Sequence, residues 1–210
     1  TDELDLAIIC TAQYLGELSP QQMTAQLQYA QPVTKAQLDL ASHAWSAFRA
    51  ETPEQWRQLL ELDTSALPFL SDAIMRMLEE YPNKDNGLSR TATQALTLIA
   101  QGVNKPGKVF AGNQNCEQQV FLGDASFWVV LHELLDCNPA LITLTQGKEL
   151  TLPPLPKQAL AITEAGKQVL SGQMNWLNTT TLDRWIGGVH LTSSNIWCWD
   201  AETQTIIKLA

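Results

Sequence analysis

The chain has 210 residues, 45% of them hydrophobic, and a formal net charge of −9. That length can bury one large core or two small ones. No apolar run approaches the roughly 20 residues that span a bilayer, and an acidic chain suits neither nucleic acid nor an anionic membrane surface, where affinity comes from Lys and Arg.

The charge is uneven. Residues 1–85 hold 13 acids and 5 bases, whereas residues 86–210 hold 9 acids and 8 bases. Four scattered cysteines (Cys10, Cys116, Cys137, Cys198) include no Cys-x-x-Cys. In a chain of this length that pattern reads as reduced and cytoplasmic rather than as a disulfide framework. The acidic start, Thr1–Asp5, is unlike the basic n-region of a secretory signal.

Leu4–Cys10 is a short apolar, Ile-containing run that predicts a buried strand. Its partner is either the C-terminal hairpin or a sheet that begins upstream. Three helix starts then share one pattern, at Ser19-Pro20-Gln21-Gln22, Thr34-Lys35-Ala36-Gln37 and Thr52-Pro53-Glu54-Gln55. In each, a hydroxyl accepts from a free backbone N–H and a Gln reaches back to the cap. Helices are predicted over 20–29, 34–50 and 53–62. Leu38, Ala41, Trp45 and Phe48 form the inward stripe of the second, and Trp56, Leu59 and Leu60 that of the third. A fourth helix after Thr64 carries Leu67, Leu70, Ile74, Met77, Leu78 and Tyr81. Core packing is the expected role of these Trp and Met side chains.

Pro82–Gly87 consists of turn-forming residues and coincides with the change in charge density, so a boundary is placed there, between parts 1–82 and 88–210. Ser89 then caps a helix to about Gln101, with Ala92, Ala95, Leu96 and Ile99 inward. Pro106-Gly107 opens a helix to about Glu117, and Asp124 caps one to about Cys137, stopped by Asn138-Pro139. Leu141–Thr145 alternates as a strand, Gln146-Gly147-Lys148 turns, and Ala159–Ile162 is a second strand before a short helix over 163–170. Asp183–Asp200 reads as a β-hairpin (strands within 188–200) with a polar Thr192–Asn195 turn. Gln204–Leu209 is a last strand. The expected fold is mainly α (α+β), a helical part followed by a winged-helix-like part with a C-terminal hairpin or small antiparallel sheet.

Three helices, a two-stranded wing and a further helix are the order of a winged helix-turn-helix, and Leu160–Leu170 resembles the segment that closes such modules. A wider resemblance rests on Ala66–Leu70, Asn86–Thr91, Phe121–Trp128 and Asp183–Leu191. These stretches resemble landmarks of an uncharacterised bacterial family, domain of unknown function 1835. The resemblance implies an additional α/β segment before the region seen here, with Leu4–Cys10 as its last strand. It implies no known reaction.

Winged helices invite a DNA reading, in which the helix from Asp124 would enter the major groove. That helix holds Asp124, Glu133 and Asp136 and no Lys or Arg, and the wing has only Lys148 and Lys157. It offers a polyanion repulsion, so nucleic acid is disfavoured and the helix is expected to lie buried against another domain. His132, Asp136 and Cys137, or His190 and Cys198, do not have spacings that force convergence on a metal, so no metal or cofactor is predicted. No Gly-x-Ser-x-Gly or phosphate loop is present, and no catalytic residue is assigned.

The candidate ligand pocket is Asp183, Arg184, Gly187, Gly188 and His190, with Trp185 beside it. Arg184 suits a carboxylate or phosphate. The preferred account is structural, with the Asp183-Arg184 pair capping and the glycines admitting a close backbone crossing. The expected function is a non-enzymatic interaction or regulatory module of a cytoplasmic bacterial protein, with a protein partner and no membrane. The alternatives are an accessory domain of an enzyme whose catalytic part lies upstream, and a winged-helix transcriptional regulator.

Overall fold

The computed structural model describes residues 5–147 and 149–209. Leu4 and Lys148, expected at the start of the first strand and in the wing turn, lie outside the described residues. The fold is α+β. Eight α-helices and four antiparallel two-stranded sheets are present among the described residues. The chain forms two compact units. The first runs to Arg76 and includes Gly187–Val189; the second holds Met77–Ile186 and His190 onward. The expected boundary turn, Pro82–Gly87, therefore lies inside the second unit. Its backbone is engaged there: Trp199 N–H donates to Pro82 O at 2.8 Å and Trp176 N–H to Asn86 O at 2.9 Å.

In the first unit, β1 (Ala7–Ile8) pairs antiparallel with β2 (Gln31–Pro32). The partner within this chain is β2 and not the C-terminal hairpin, and the run is exposed or half-buried rather than buried. The helices α1 (Pro20–Ala25) and α2 (Lys35–Arg49) start with complete capping boxes, Ser19 with Gln22 and Thr34 with Gln37. The third start differs. Pro53 occupies the cap of α3 (Glu54–Leu60), and the Thr52 hydroxyl lies 3.3 Å from the Glu54 carboxylate instead of serving the backbone.

The stripe expected to face inward on α2 faces out. Leu38, Trp45 and Phe48 are 50%, 57% and 41% exposed, while Leu40 and Ala47 are buried and α2 packs on α3 through Trp56 and Leu59. Two apolar stripes lie one residue, about 100°, apart on this helix, and periodicity alone does not choose which is covered. The core role expected for the Trp and Met side chains of these helices likewise fails at Trp45, while Trp56 is buried.

Helix α4 (Leu70–Leu78) leads into the second unit, where Leu78 and Tyr81 are buried. Next come α5 (Arg90–Ala100), α6 (Pro106–Asn115) and α7 (Asp124–Asp136). Ser89 caps α5 by accepting from Ala92 N–H, and Ala92, Ala95, Leu96 and Ile99 are buried as expected. Gly123, not Asp124, holds the cap of α7. Asp124 sits in the first turn, where the helix dipole favours an acid. Phe127, Leu131 and Leu134 of α7 join Leu96, Val109 and Val169 in one core. The apolar face of α7 is thus covered by its own unit rather than by another domain. Full burial of each such side chain is worth about 1.5–3 kcal/mol.

Strands β3 (Ile142–Gln146) and β4 (Ala159–Ile162) pair antiparallel, and α8 (Glu164–Leu170) follows, capped by Thr163. A Cβ on Gly166 would strike the Leu141 carbonyl. The Thr-x-x-Gly pattern therefore serves a close helix–strand packing.

The C-terminal segment forms two hairpins where one was expected. β5 (Asp183–Ile186) pairs with β6 (Val189–Thr192) about a turn at Gly187-Gly188, and β7 (Trp197–Asp200) pairs with β8 (Thr205–Lys208). The expected Thr192–Asn195 turn is present, closed by reciprocal backbone hydrogen bonds of 3.0 and 3.2 Å, but the strands on either side of it each pair elsewhere. A Gly-Gly pair is itself a two-residue hairpin turn signal, and it outweighs the longer polar stretch. All four residues of β7 are buried. Cys198 is thus enclosed like Trp197 and Trp199, and burial pushes its thiol up to about 11.

Candidate functional site

Strand alternation divides the candidate residues of the β5–β6 hairpin between two faces. Asp183 and Trp185 are exposed, whereas Arg184 and Ile186 are half-buried. The five candidates therefore do not form one pocket. They separate into an inward ionic cluster, an outward aromatic cluster and a glycine turn, and only Asp183 and Arg184 among them line a common pocket.

Arg184 turns inward. Its guanidinium lies 3.5 Å from Glu80 Oε2 and 3.8 Å from Glu133 Oε2. Glu80 is buried and accepts from the Thr91 hydroxyl and, at 3.3 Å, from Thr91 N–H. Burial pushes the Glu133 carboxyl above the usual range. Arg184 pulls it back down, and Glu80 adds a smaller upward push. The positive charge that recommended Arg184 for an anionic ligand is thus shared between two carboxylates of the chain.

Beside this cluster is a pocket of about 210 Å³, lined among others by Leu88, Glu133, Leu134, Trp176, Leu182 and Arg184. Every lining residue belongs to the second unit. Trp176 Nε1 is buried with no protein acceptor. A pocket this small has room for a few waters or a group the size of an amino-acid side chain.

On the outward face, His190 Nε2 lies 2.7 Å from Asp183 Oδ1. The imidazole stacks on the Trp185 indole with centroids 4.3 Å apart and planes 4° from parallel. The Asn195 amide donates to the His190 carbonyl at 2.8 Å. Among the described residues, no hydroxyl or thiol is aligned with the Asp–His pair to make a nucleophilic triad.

Gly187 and Gly188 belong to the first unit, against the end of α2. Gly188 N–H donates to Phe48 O at 2.7 Å. A Cβ on Gly187 would strike the Phe48 carbonyl, and one on Gly188 the Arg49 carbonyl. Gly187 also has a φ of +57°, a region that disfavours side chains. Backbone proximity accounts for both glycines without a ligand.

Glu80 and Glu133 are not among the candidate ligand-pocket residues read from the sequence, where Glu133 counts only as an acid against DNA binding. One signal was available for each: Glu133 lies between the buried Leu131 and Leu134 of α7, and Glu80 lies between buried Leu78 and Tyr81. Their convergence on Arg184 spans 104 residues in one case. Among the described residues, no group of three or more His, Cys, Asp or Glu could hold a metal ion, and no helix is long and apolar enough to cross a membrane. No protein-family model matches the chain, and no curated protein or solved structure does.

Proposed function

We propose that this chain is a non-enzymatic protein-interaction or regulatory module. The observation that carries the reading is the outward face of α2, where Leu38, Trp45 and Phe48 stand in solvent. Trp45 and Phe48 stack at 5.7 Å, and the Arg49 guanidinium lies over Trp45 at 5.6 Å. Large apolar side chains at helical spacing on a surface mark interaction sites, and Trp and Arg are over-represented among residues that dominate binding. The part from residue 88 is read as a winged-helix-like scaffold and the chain as a relative of domain of unknown function 1835. The α5–α6–α7, β3–β4, α8 succession supports the first reading, and the second rests on the sequence stretches Ala66–Leu70, Asn86–Thr91, Phe121–Trp128 and Asp183–Leu191. Four free thiols are in keeping with the cytoplasm. The acidic first turn of α7 speaks against a transcriptional role through DNA.

The test places a photo-crosslinking amino acid at position 45 in the full chain within its native host. A discrete adduct with another protein, lost when Leu38→Asp is added, is expected. Adducts only with a second copy, or none, would overturn the reading.

The pocket beside Arg184 favours a second reading, an accessory domain that completes an enzyme's site. Glu133, with its raised carboxyl pKa, and Trp176 Nε1 are the groups it would contribute. On that reading, Glu133→Gln would abolish turnover of the assembled enzyme while leaving assembly intact.

A further inference from the structure

The β5–β6 hairpin carries an aromatic surface, Trp185 and His190, that neither the α2 face nor the Arg184 pocket uses; Asp183 beside it stands at the rim of that pocket. Trp185 is 62% exposed, although its indole is among the most costly side chains to leave in water. It is nonetheless held in place. One face lies flat on the His190 imidazole, and that ring is fixed by Asp183. A side chain ordered before it binds loses little entropy on binding. Asp183 stands two residues from Trp185 on the same strand face, and its side chain is 78% exposed. The nearest arginine along the strand, Arg184, points to the other face and is shared between Glu80 and Glu133. The outward face therefore presents one free indole face, opposite His190, and a carboxylate with one oxygen engaged by His190 and the other open, with a whole-chain charge of −9 behind them.

We infer that Trp185 and Asp183 form a docking site for an arginine side chain on a protein partner. A guanidinium is planar and cationic. It stacks on an indole face by cation–π attraction while its edge donates to a carboxylate. A lysine ammonium satisfies the charge but not the stacking plane. A nucleobase satisfies the plane, but its phosphate would be brought against Asp183 and an acidic chain. The occupant is thus an arginine in a peptide segment. The site shares no residue with the α2 face, so either can fail while the other stands.

The test uses the whole chain and follows the Trp185 indole N–H in ¹H–¹⁵N correlation spectra, assigned by its loss in Trp185→Phe. Acetyl-Gly-Arg-Gly-amide is the probe, with the citrulline peptide as its neutral isostere. Expected is a saturable shift with the arginine peptide in the millimolar range. Asp183→Asn should weaken it roughly fivefold or more, a loss typical of one charge-assisted contact, with dispersion of the other signals unchanged. Equal shifts with the citrulline peptide would show plain stacking and overturn the inference. So would tighter binding of adenosine monophosphate, which would assign the platform to a nucleobase, or of free L-arginine, which would assign it to a metabolite. Absence of any shift removes the site.

Discussion

The Arg184 guanidinium lies 3.5 Å from the Glu80 carboxylate, joining strand β5 to the turn after α4. The Glu80 side chain is only 8% exposed, so its charge depends on partners within the protein. Removing one side of such a pair leaves the other poorly compensated. Arg184→Met should cost about 1–3 kcal/mol, because Thr91 still donates to Glu80. Adding Glu80→Gln should recover part of that loss. Urea unfolding of the two single variants and the double variant measures the coupling; simple additivity would show that the pair contributes nothing.

Gly188 lies so close to the end of α2 that no side chain fits. Gly188→Ala should destabilise the first unit by about 1–3 kcal/mol through overpacking against the Arg49 carbonyl. Gly187→Ala should cost a comparable amount, because it adds a left-handed backbone to a clash with Phe48. Thermal unfolding monitored through Trp45 fluorescence, with the other tryptophans replaced by Phe, reads this unit. Unchanged melting of both variants would mean that the hairpin turn does not dock on α2.

Lys84 Nζ lies 2.8 Å from Asp200 Oδ1 and so fastens β7 to the 82–87 turn. The Lys84 contact holds the Asp200 carboxyl below the usual range, helped by the backbone N–H groups of Glu202 and Thr203. A carboxyl depressed on folding contributes stability above its unfolded pKa and loses it as pH falls through the folded value. Asp200→Asn should therefore be less stable than the parent at pH 7, and the gap should close as pH falls from the ordinary aspartate value through the lower folded one. Unfolding free energies measured between pH 2 and 7 on both proteins check the sign.

Glu133 should behave in the opposite sense. Its folded pKa is raised, chiefly by burial. The folded state holds its proton longer than the unfolded chain, so stability falls as pH rises from the ordinary glutamate value through the folded one. Glu133→Gln should abolish that decline and leave the variant relatively more stable at neutral pH. A parent and variant whose stability curves run parallel across this range would contradict the assignment.

Much of the local structure is legible in the sequence. The cap at Ser89, the alternation of β3 and β4 and the Thr163-x-x-Gly166 start of α8 depend on hydrogen bonds and periodicities only a few residues long. They appear where the local pattern puts them. The C-terminal segment departs from its expected single hairpin because two turn signals compete there. The Gly187-Gly188 turn joins β5 to β6, and β7 pairs with the later segment 205–208 instead of with β6.

The sequence by itself determined the amphipathic segments, their caps and an acidic chain hostile to polyanions, because these follow from adjacent residues and summed charge. Only the tertiary structure decided which stripe of α2 was covered and that Arg184 would be shared between Glu80 and Glu133. It also decided that Asp183, Trp185 and His190 would share one exposed face. Burial and ion pairing depend on what arrives from distant parts of the chain, and those arrivals leave no periodic mark on the residues that receive them.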